Sequence, residues 1–384
     1  MRASLVLLGS HAAVAAYLGL RNQGNTCYMN SLLQSLHHIP EFRESVYRIP
    51  SRVNASAGYE DAVPLELQRL FYQLEHGEDA GMHEVGTEQL TRSFGWGRAE
   101  VMVQQDVQEF SRMLCEALQE SMRANGVHDG VAGLFEGRTT SVTQCTRVDF
   151  ASEKEQPFYD LQMQVQGCRS LQASFRQFVR EERLSGENKY NTRDPQLGKQ
   201  EARRSTRFKT LPPVLQLHLK RFEYDVASGT MQKLQQAFAF PTLLKLHRFM
   251  AHNAAEGPPP EYELHAVLSH VGEAGSGHYV AYVRPRGSRQ WYEFDDTRVS
   301  AVGEEVAVRQ QYGGRHARSR GFLGALGPKP NAYMLVYVRR DAAAAATDAP
   351  EATAALTPEV RAAFESELLR PSRSRGSGIR AGLF

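Results

Sequence analysis

Apolar residues recur at helical spacing over the first third of the chain and alternate with polar ones over much of the remainder. In "TCYMNSLLQSL", Tyr28, Met29, Leu32, Leu33 and Leu36 share one helical face. Asn25 or Thr26 stands where an N-cap is needed, so this helix is expected to place Cys27 in its first turn. A second helix is predicted after Pro64, with Leu67, Leu70, Phe71 and Leu74 inward. A third runs through "VQQDVQEFSRMLCEALQESM", where Val103, Val107, Phe110, Leu114 and Leu118 form one stripe. Asp106 and Glu109, three residues apart, are neighbours beside that stripe.

From Leu134 the period shifts to two. "LFEGRTTSVTQCTRVDF", "PFYDLQMQVQ" and "PPVLQLHLKRFEYD" read as half-buried strands, with "SFRQFVREERL" as a helix between them. "GPPPEY" at 257–262 is a turn or short linker. Four further strand candidates follow: "YELHAVLSHV", "GHYVAYVRP", "RQWYEFDD" and "NAYMLVYVRR". Gly272, Gly275 and Gly277 form a tight connection before His278. After Arg340 the chain turns Ala-rich. Residues 357–369 suit a short helix, and the tail 341–384 as a whole reads as a flexible extension. Residues 1–16 read as a short apolar leader. Gly9, Ser10 and His11 interrupt it, and no run in the chain reaches the ~18 apolar residues of a membrane span.

Composition narrows the class. A chain of 384 residues with 41% hydrophobic and 23% charged residues is an ordinary globular protein of one to three domains. The net charge of +2 gives no electrostatic case for nucleic acid or a membrane surface, and neither partner is expected. The basic run "RRSTRFK" reads as a solvated face. The four cysteines, Cys27, Cys115, Cys145 and Cys168, form no C-x-x-C pair, so neither a disulfide framework nor a four-cysteine zinc site is suggested. Sparse unpaired thiols fit a reducing compartment, cytoplasmic or nuclear.

One constellation carries chemistry. A thiol attacks as its thiolate, and the N–H groups of a helix N-terminus favour negative charge there. Cys27 has that setting. Among 13 histidines, His278 follows a Gly-rich loop and begins an apolar strand, and Asp295 and Asp296 close the next strand candidate. Adjacent strands can bring Asp295 beside His278, to orient the ring and stabilise an imidazolium. Asn22, in the turn before Cys27, can fold its amide over the nucleophile as an oxyanion donor, with Asp296 holding Asn22 or a water. Each residue also has a plain reading: a buried inert thiol, a "DD" turn, an Asn satisfying backbone. Their combination at helix and strand ends favours catalysis.

With these residues in view, the sequence resembles the ubiquitin-specific proteases, papain-like cysteine deubiquitinases. "GLRNQGNTCYMNSLLQSL" is similar to the family's Cys box, "QQDVQEF" to its Gln-Asp-x-x-Glu helix and "LPPVLQLHLKRF" to its central strand. "GHYVAYVR" with "WYEFDD" is similar to its His box, and "NAYMLVYVRR" to its closing strand. "VPLELQRLFYQLEH", "SFGW" and "YGG" suggest closest similarity to the herpesvirus-associated member. The resemblance implies an α+β, papain-like hand over 17–340: a helical thumb (17–130), strand-built fingers (134–210) and a β palm (211–340).

It also implies hydrolysis after the C-terminal Gly of ubiquitin, with Cys27 as nucleophile, His278 as base then acid, Asp295 as orienter, Asn22 as oxyanion donor and Asp296 in support. Asp106 and Glu109 match positions that meet ubiquitin's C-terminal tail, whose two arginines suit paired carboxylates. Tyr279 would help wall the slot that admits Gly-Gly. The plain alternative for these three is an exposed helix face and a core tyrosine. Ubiquitin and ubiquitinated proteins are the implied partners of a monomer without a cofactor. Many family members hold a zinc in the fingers through two C-x-x-C pairs. Here Cys145 alone stands near the first, so no metal is expected and the fingers must rely on packing. Nothing resembles the substrate-recognition domain or the long C-terminal array of the herpesvirus-associated member, which leaves target selection open. A catalytically silent ubiquitin-binding scaffold and a protease for a ubiquitin-like modifier are the alternatives.

Overall fold

A computed structural model describes residues 17–52, 59–128, 130–251, 260–314, 330–341 and 352–369. The leader 1–16 and the tail segments 342–351 and 370–384 lie outside the described residues.

A helical layer packs on one face of a large sheet. The sheet order is Arg298–Val302, Trp291–Asp295, Ser276–Val283, Glu261–Glu273, Asn331–Arg339, Val214–Lys220, Asp160–Gln164, with Leu243–Lys245 pairing to Glu261–Glu273. Every pairing in it is antiparallel except that between Val214–Lys220 and Asp160–Gln164. The closing strand explains why "NAYMLVYV" is apolar throughout. Met334, Val336 and Val338 join the core shared with the helices, while Leu335 and Tyr337 join a second core on the opposite face. Successive residues of a strand point to opposite faces, so a sheet covered on both sides needs no polar alternation.

A separate four-stranded antiparallel sheet, in the order Ala151–Phe158, Gly137–Cys145, Ala202–Thr210, Glu182–Leu184, is built from the polar-rich middle of the chain. Cys145 is buried there against Leu184 and Ala202, flanked by Val148, Phe150 and Tyr190. The basic run 203–209 lies on one of these strands, with Arg203, Arg204 and Lys209 paired to Glu181, Glu182 and Glu155.

The helix Cys27–His37 is buried over its whole length. Two of its polar side chains bond neighbouring chain: Gln34 Nε2 donates to the Leu18 carbonyl at 2.9 Å, and Asn30 Nδ2 to the Leu20 carbonyl at 3.3 Å. Thr26 occupies the N-cap position, one of the two expected there, but no side chain hydrogen-bonds into the first turn. A cap is worth ~1 kcal/mol. Burial of Met29, Leu32, Leu33 and Leu36, each worth roughly 1.5–3 kcal/mol, outweighs it, so packing decides this helix.

Four other expectations change. The second helix spans Tyr59–His76 and includes Pro64 in its second turn, where the ring removes a single i→i−4 donor. The third begins at Val107, and Val103 lies before it, 60% exposed rather than in the apolar stripe. "SFRQFVREERL" divides into a helix Leu171–Phe178 and a strand Glu182–Leu184. In the tail, the helix Pro358–Leu368 docks instead of extending freely: Val360 and Phe364 are buried, and Glu367 pairs with Arg69 at 3.0 Å.

Candidate active site

The turn before Cys27 is organised by Asn22. Its Oδ1 accepts from the backbone N–H of Gly24 at 2.8 Å and of Thr26 at 3.2 Å. Gly24 sits at φ +141, and a Cβ there would lie 2.6 Å from Met102 Sδ. Glycine therefore lets the turn fold closely against the 101–102 backbone, where Asn25 N–H bonds the Val101 carbonyl at 3.0 Å. Cys27 follows as the first residue of its helix, nearly fully buried.

The large sheet delivers the other partners. The hairpin turn 272–276 starts the strand Ser276–Val283, which carries His278, and Trp291–Asp295 pairs beside it. His278 Nε2 lies 2.6 Å from Asp295 Oδ1. Asp295 also accepts from Arg298. The bond from Asp295, then that to the Cys27 sulfur, pushes His278 up to about 10. The His278 bond, with Arg298 adding to it, holds Asp295 down at about 2. Both contacts favour the protonated form of the ring that faces the Cys27 sulfur.

Asp296 departs from the strand at φ +51, in the left-handed region. Its Oδ2 accepts from Asn22 Nδ2 at 2.9 Å and its Oδ1 from Asn30 Nδ2 at 2.8 Å. The Asn22 amide is thus held by Asp296. His278, Asp295 and Asp296 form the one group of such residues, among those described, close enough to hold a metal. Their oxygens are already engaged by His278, Arg298, Asn22 and Asn30.

The other sequence candidates behave differently from one another. Asp106 is half-buried, caps the helix Val107–Ala124 by accepting from Gln108 N–H at 2.7 Å, and accepts from the Tyr333 hydroxyl. Glu109 is exposed on the first turn of that helix. Tyr279 is buried, with its ring edge-on to His270 at 4.7 Å and to Tyr333 at 5.7 Å. Its backbone N–H points at Cys27 Sγ, 3.4 Å away. Sequence reasoning missed Gln104, Asn30 and Arg298. Gln104 lies within "QQDVQEF", where the carboxylates carry the charge and the glutamines give no signal of their own.

A thiol at a helix start, an imidazole facing it and a carboxylate fixing the ring form the arrangement of a cysteine hydrolase. The profile of the family "Ubiquitin carboxyl-terminal hydrolase" matches residues 18–337. The chain belongs to that family. It is 43% identical to ubiquitin C-terminal hydrolase 13 of Arabidopsis thaliana, over 84% of this chain and 29% of that protein. It is 40% identical to ubiquitin carboxyl-terminal hydrolase 7 of Drosophila melanogaster, over 84% of this chain and 27% of that protein. The chain thus spans under a third of the length of these relatives. A chain of the SAGA Ubp8/Sgf11/Sus1/Sgf73 DUB module bound to monoubiquitin superposes with a TM-score of 0.69 at 26% identity, covering 84% of this chain and 69% of that one. The same module bound to ubiquitin aldehyde gives 0.68. The fold is that of the papain-like catalytic domain of ubiquitin-specific proteases. Among the described residues, no helix is long and apolar enough to cross a membrane.

Proposed function

We propose that the chain is a thiol-dependent deubiquitinase that hydrolyses peptide and isopeptide bonds after the C-terminal glycine of ubiquitin. The observation that carries this reading is the His278–Asp295 bond of 2.6 Å beside the Cys27 sulfur. Cys27 attacks the glycine carbonyl as thiolate. The Asn22 amide, held by Asp296, faces the developing oxyanion, and one such donor is worth ~3–4 kcal/mol. His278 gives its proton to the leaving lysine amine. It then takes one from the water that releases the acyl group, while Asp295 keeps the ring oriented. Asp106, Glu109 and Tyr279 are proposed to receive the ubiquitin tail, the two carboxylates meeting its arginines.

The proposed organisation is a thumb over 17–130, fingers over 134–210 and a palm over 211–340. The helical layer, the separate small sheet and the large sheet support that division, except that Asp160–Gln164, within the fingers range, pairs into the large sheet. The match to hydrolase 7 of Drosophila melanogaster and the motifs "SFGW" and "YGG" support a place beside the herpesvirus-associated member. The ubiquitin-bound module that superposes on this chain supports ubiquitin as partner. We further propose action as a monomer in the cytoplasm or nucleus, without nucleic acid or membrane.

Release of a fluorophore from a ubiquitin C-terminal amide tests the activity. The wild-type chain is expected to turn over and Cys27→Ala to be silent. Turnover that survives Cys27→Ala would sink this mechanism.

A further inference from the structure

Gln104 sits in the loop between the helices Arg98–Val101 and Val107–Ala124, on the helical side of the cleft. Its Nε2 donates to the Gly277 carbonyl at 2.9 Å and stands 3.7 Å from Cys27 Sγ. Gly277 immediately precedes His278. One side-chain amide therefore touches the residue that carries the thiol and the strand that carries the imidazole, from a third segment of chain.

The acceptor it uses is firmly placed. A Cβ at Gly277 would lie 2.3 Å from His270 Nε2 and 2.5 Å from the Val271 carbonyl, so the backbone there is packed too closely to shift. An amide has two N–H donors in one plane. With one fixed on Gly277, the other is aimed at the sulfur. A thiol is a weak acceptor. A thiolate is a charged one, and hydrogen bonds to charged groups are roughly twice as strong as neutral ones. The Tyr279 N–H at 3.4 Å is the second donor to the same atom.

We propose that Gln104 is a positioning residue of the active site, donating to the Cys27 sulfur in its thiolate form while tying the His278 strand to the helical layer. The proposal rests on Cys27 being the nucleophile. It acts at two points of the cycle. In the free enzyme it favours the thiolate in line with His278. In the acyl-enzyme, water forms the new C–O bond and gives its proton to His278, and the C–S bond breaks with its electron pair on sulfur. The amide then meets the departing thiolate.

Steady-state kinetics on the ubiquitin amide test this with Gln104→Ala and Gln104→Glu, each paired with a thermal melt. The Glu variant is isosteric, so it decides the question if the Ala variant fails to fold. Gln104→Ala is expected to lose kcat by about 10- to 100-fold, the range of one hydrogen bond to a charged group. KM should stay within about twofold, because the contact is to the reacting sulfur rather than to bound substrate. Gln104→Glu loses at least as much at neutral pH, where its carboxylate faces both the sulfur and a carbonyl. Its rate relative to wild type should climb as pH falls toward ~5 and the carboxyl becomes a donor.

A Gln104→Glu ratio that stays flat with pH, a loss confined to KM, or turnover within about twofold of wild type in both variants would overturn the role of Gln104. Cys27→Ala, run alongside, separates the two claims. If it stays active the reading of Cys27 fails. If it is silent while both Gln104 variants turn over normally, only the present proposal fails.

Discussion

Asp295 and Asp296 are adjacent in sequence but serve opposite sides of the site. Asp295 ends its strand with Oδ1 2.6 Å from His278, while Asp296 turns at φ +51 to hold Asn22 and Asn30 at 2.9 and 2.8 Å. One carboxylate fixes the imidazole on the large sheet. The other ties that sheet to the turn and the helix that carry Cys27. The doublet "DD" both turns the chain and holds side chains on either side of that turn.

Asp295→Asn tests the first half. The Asp295 bond is the largest cause of the raised His278, which reaches about 10. In the proposed mechanism His278 carries a proton to release the amine, so the rate falls as pH rises through that value. The variant's alkaline limb is expected to move down by about one unit or more. Its kcat should drop by roughly 10²–10⁴. The same sign governs stability. A raised histidine contributes fully below about 6.5 and loses that contribution as pH rises through its folded value. A pH–rate profile checks the shift, and an unmoved limb contradicts it.

Gly24→Ala probes the turn. The residue keeps φ +141, and the added methyl meets Met102 Sδ at 2.6 Å. Met102 is 57% exposed and can swing away, so the backbone strain remains the main cost, about 1–3 kcal/mol. The melting temperature and kcat are expected to fall together, because this turn sets both Asn22 and Cys27. A variant unchanged in both would show that the turn tolerates another backbone shape.

Lys233 predicts a pH dependence of opposite sign. Its buried amine donates to the carbonyls of His270 and Gly272 at 2.8 and 3.0 Å, behind the hairpin that leads to His278. Burial, with Arg221 adding to it, pushes Lys233 down to about 7. Between about 7 and the ordinary ~10.4 the unfolded chain binds more protons, so this group stabilises the fold increasingly as pH rises. Lys233→Met removes that rise. The gap in melting temperature between wild type and variant should widen from pH 7 to pH 9.5, and a constant gap contradicts the assignment.

The reach of the sequence can be judged from particular elements. Cys27, His278 and Asp295 were legible as candidates because each lies at or near one end of an apolar element with strong periodicity. The helix starting near Cys27 and the strands of the large sheet follow from the same signal. Gln104 was not legible, because its role depends on where a loop meets Gly277 across 173 positions of chain. The strand Ala151–Phe158 was mostly hidden because nearly all its side chains are exposed, leaving no alternation to read. The docked tail was missed because its burial falls on a few residues within an Ala-rich context.

Phe364→Ala measures that docking. Phe364 is buried, with the Arg69 guanidinium 5.4 Å from its ring centroid and the Tyr72 ring at 5.6 Å. Removing a buried Phe costs ~3–5 kcal/mol. Chemical denaturation should show a loss of that order, with kcat per folded molecule unchanged. No loss would return the segment to a free extension.

The central claim is that Cys27 is the nucleophile in a site built for ubiquitin's C-terminus. Intact-mass analysis after incubation with ubiquitin carrying a C-terminal electrophile tests it directly, with peptide mapping of the adduct. The account predicts one ubiquitin added per chain, mapped to Cys27, and none on Cys27→Ser. An adduct on Cys115, Cys145 or Cys168, or no adduct on the folded wild-type chain, would contradict it.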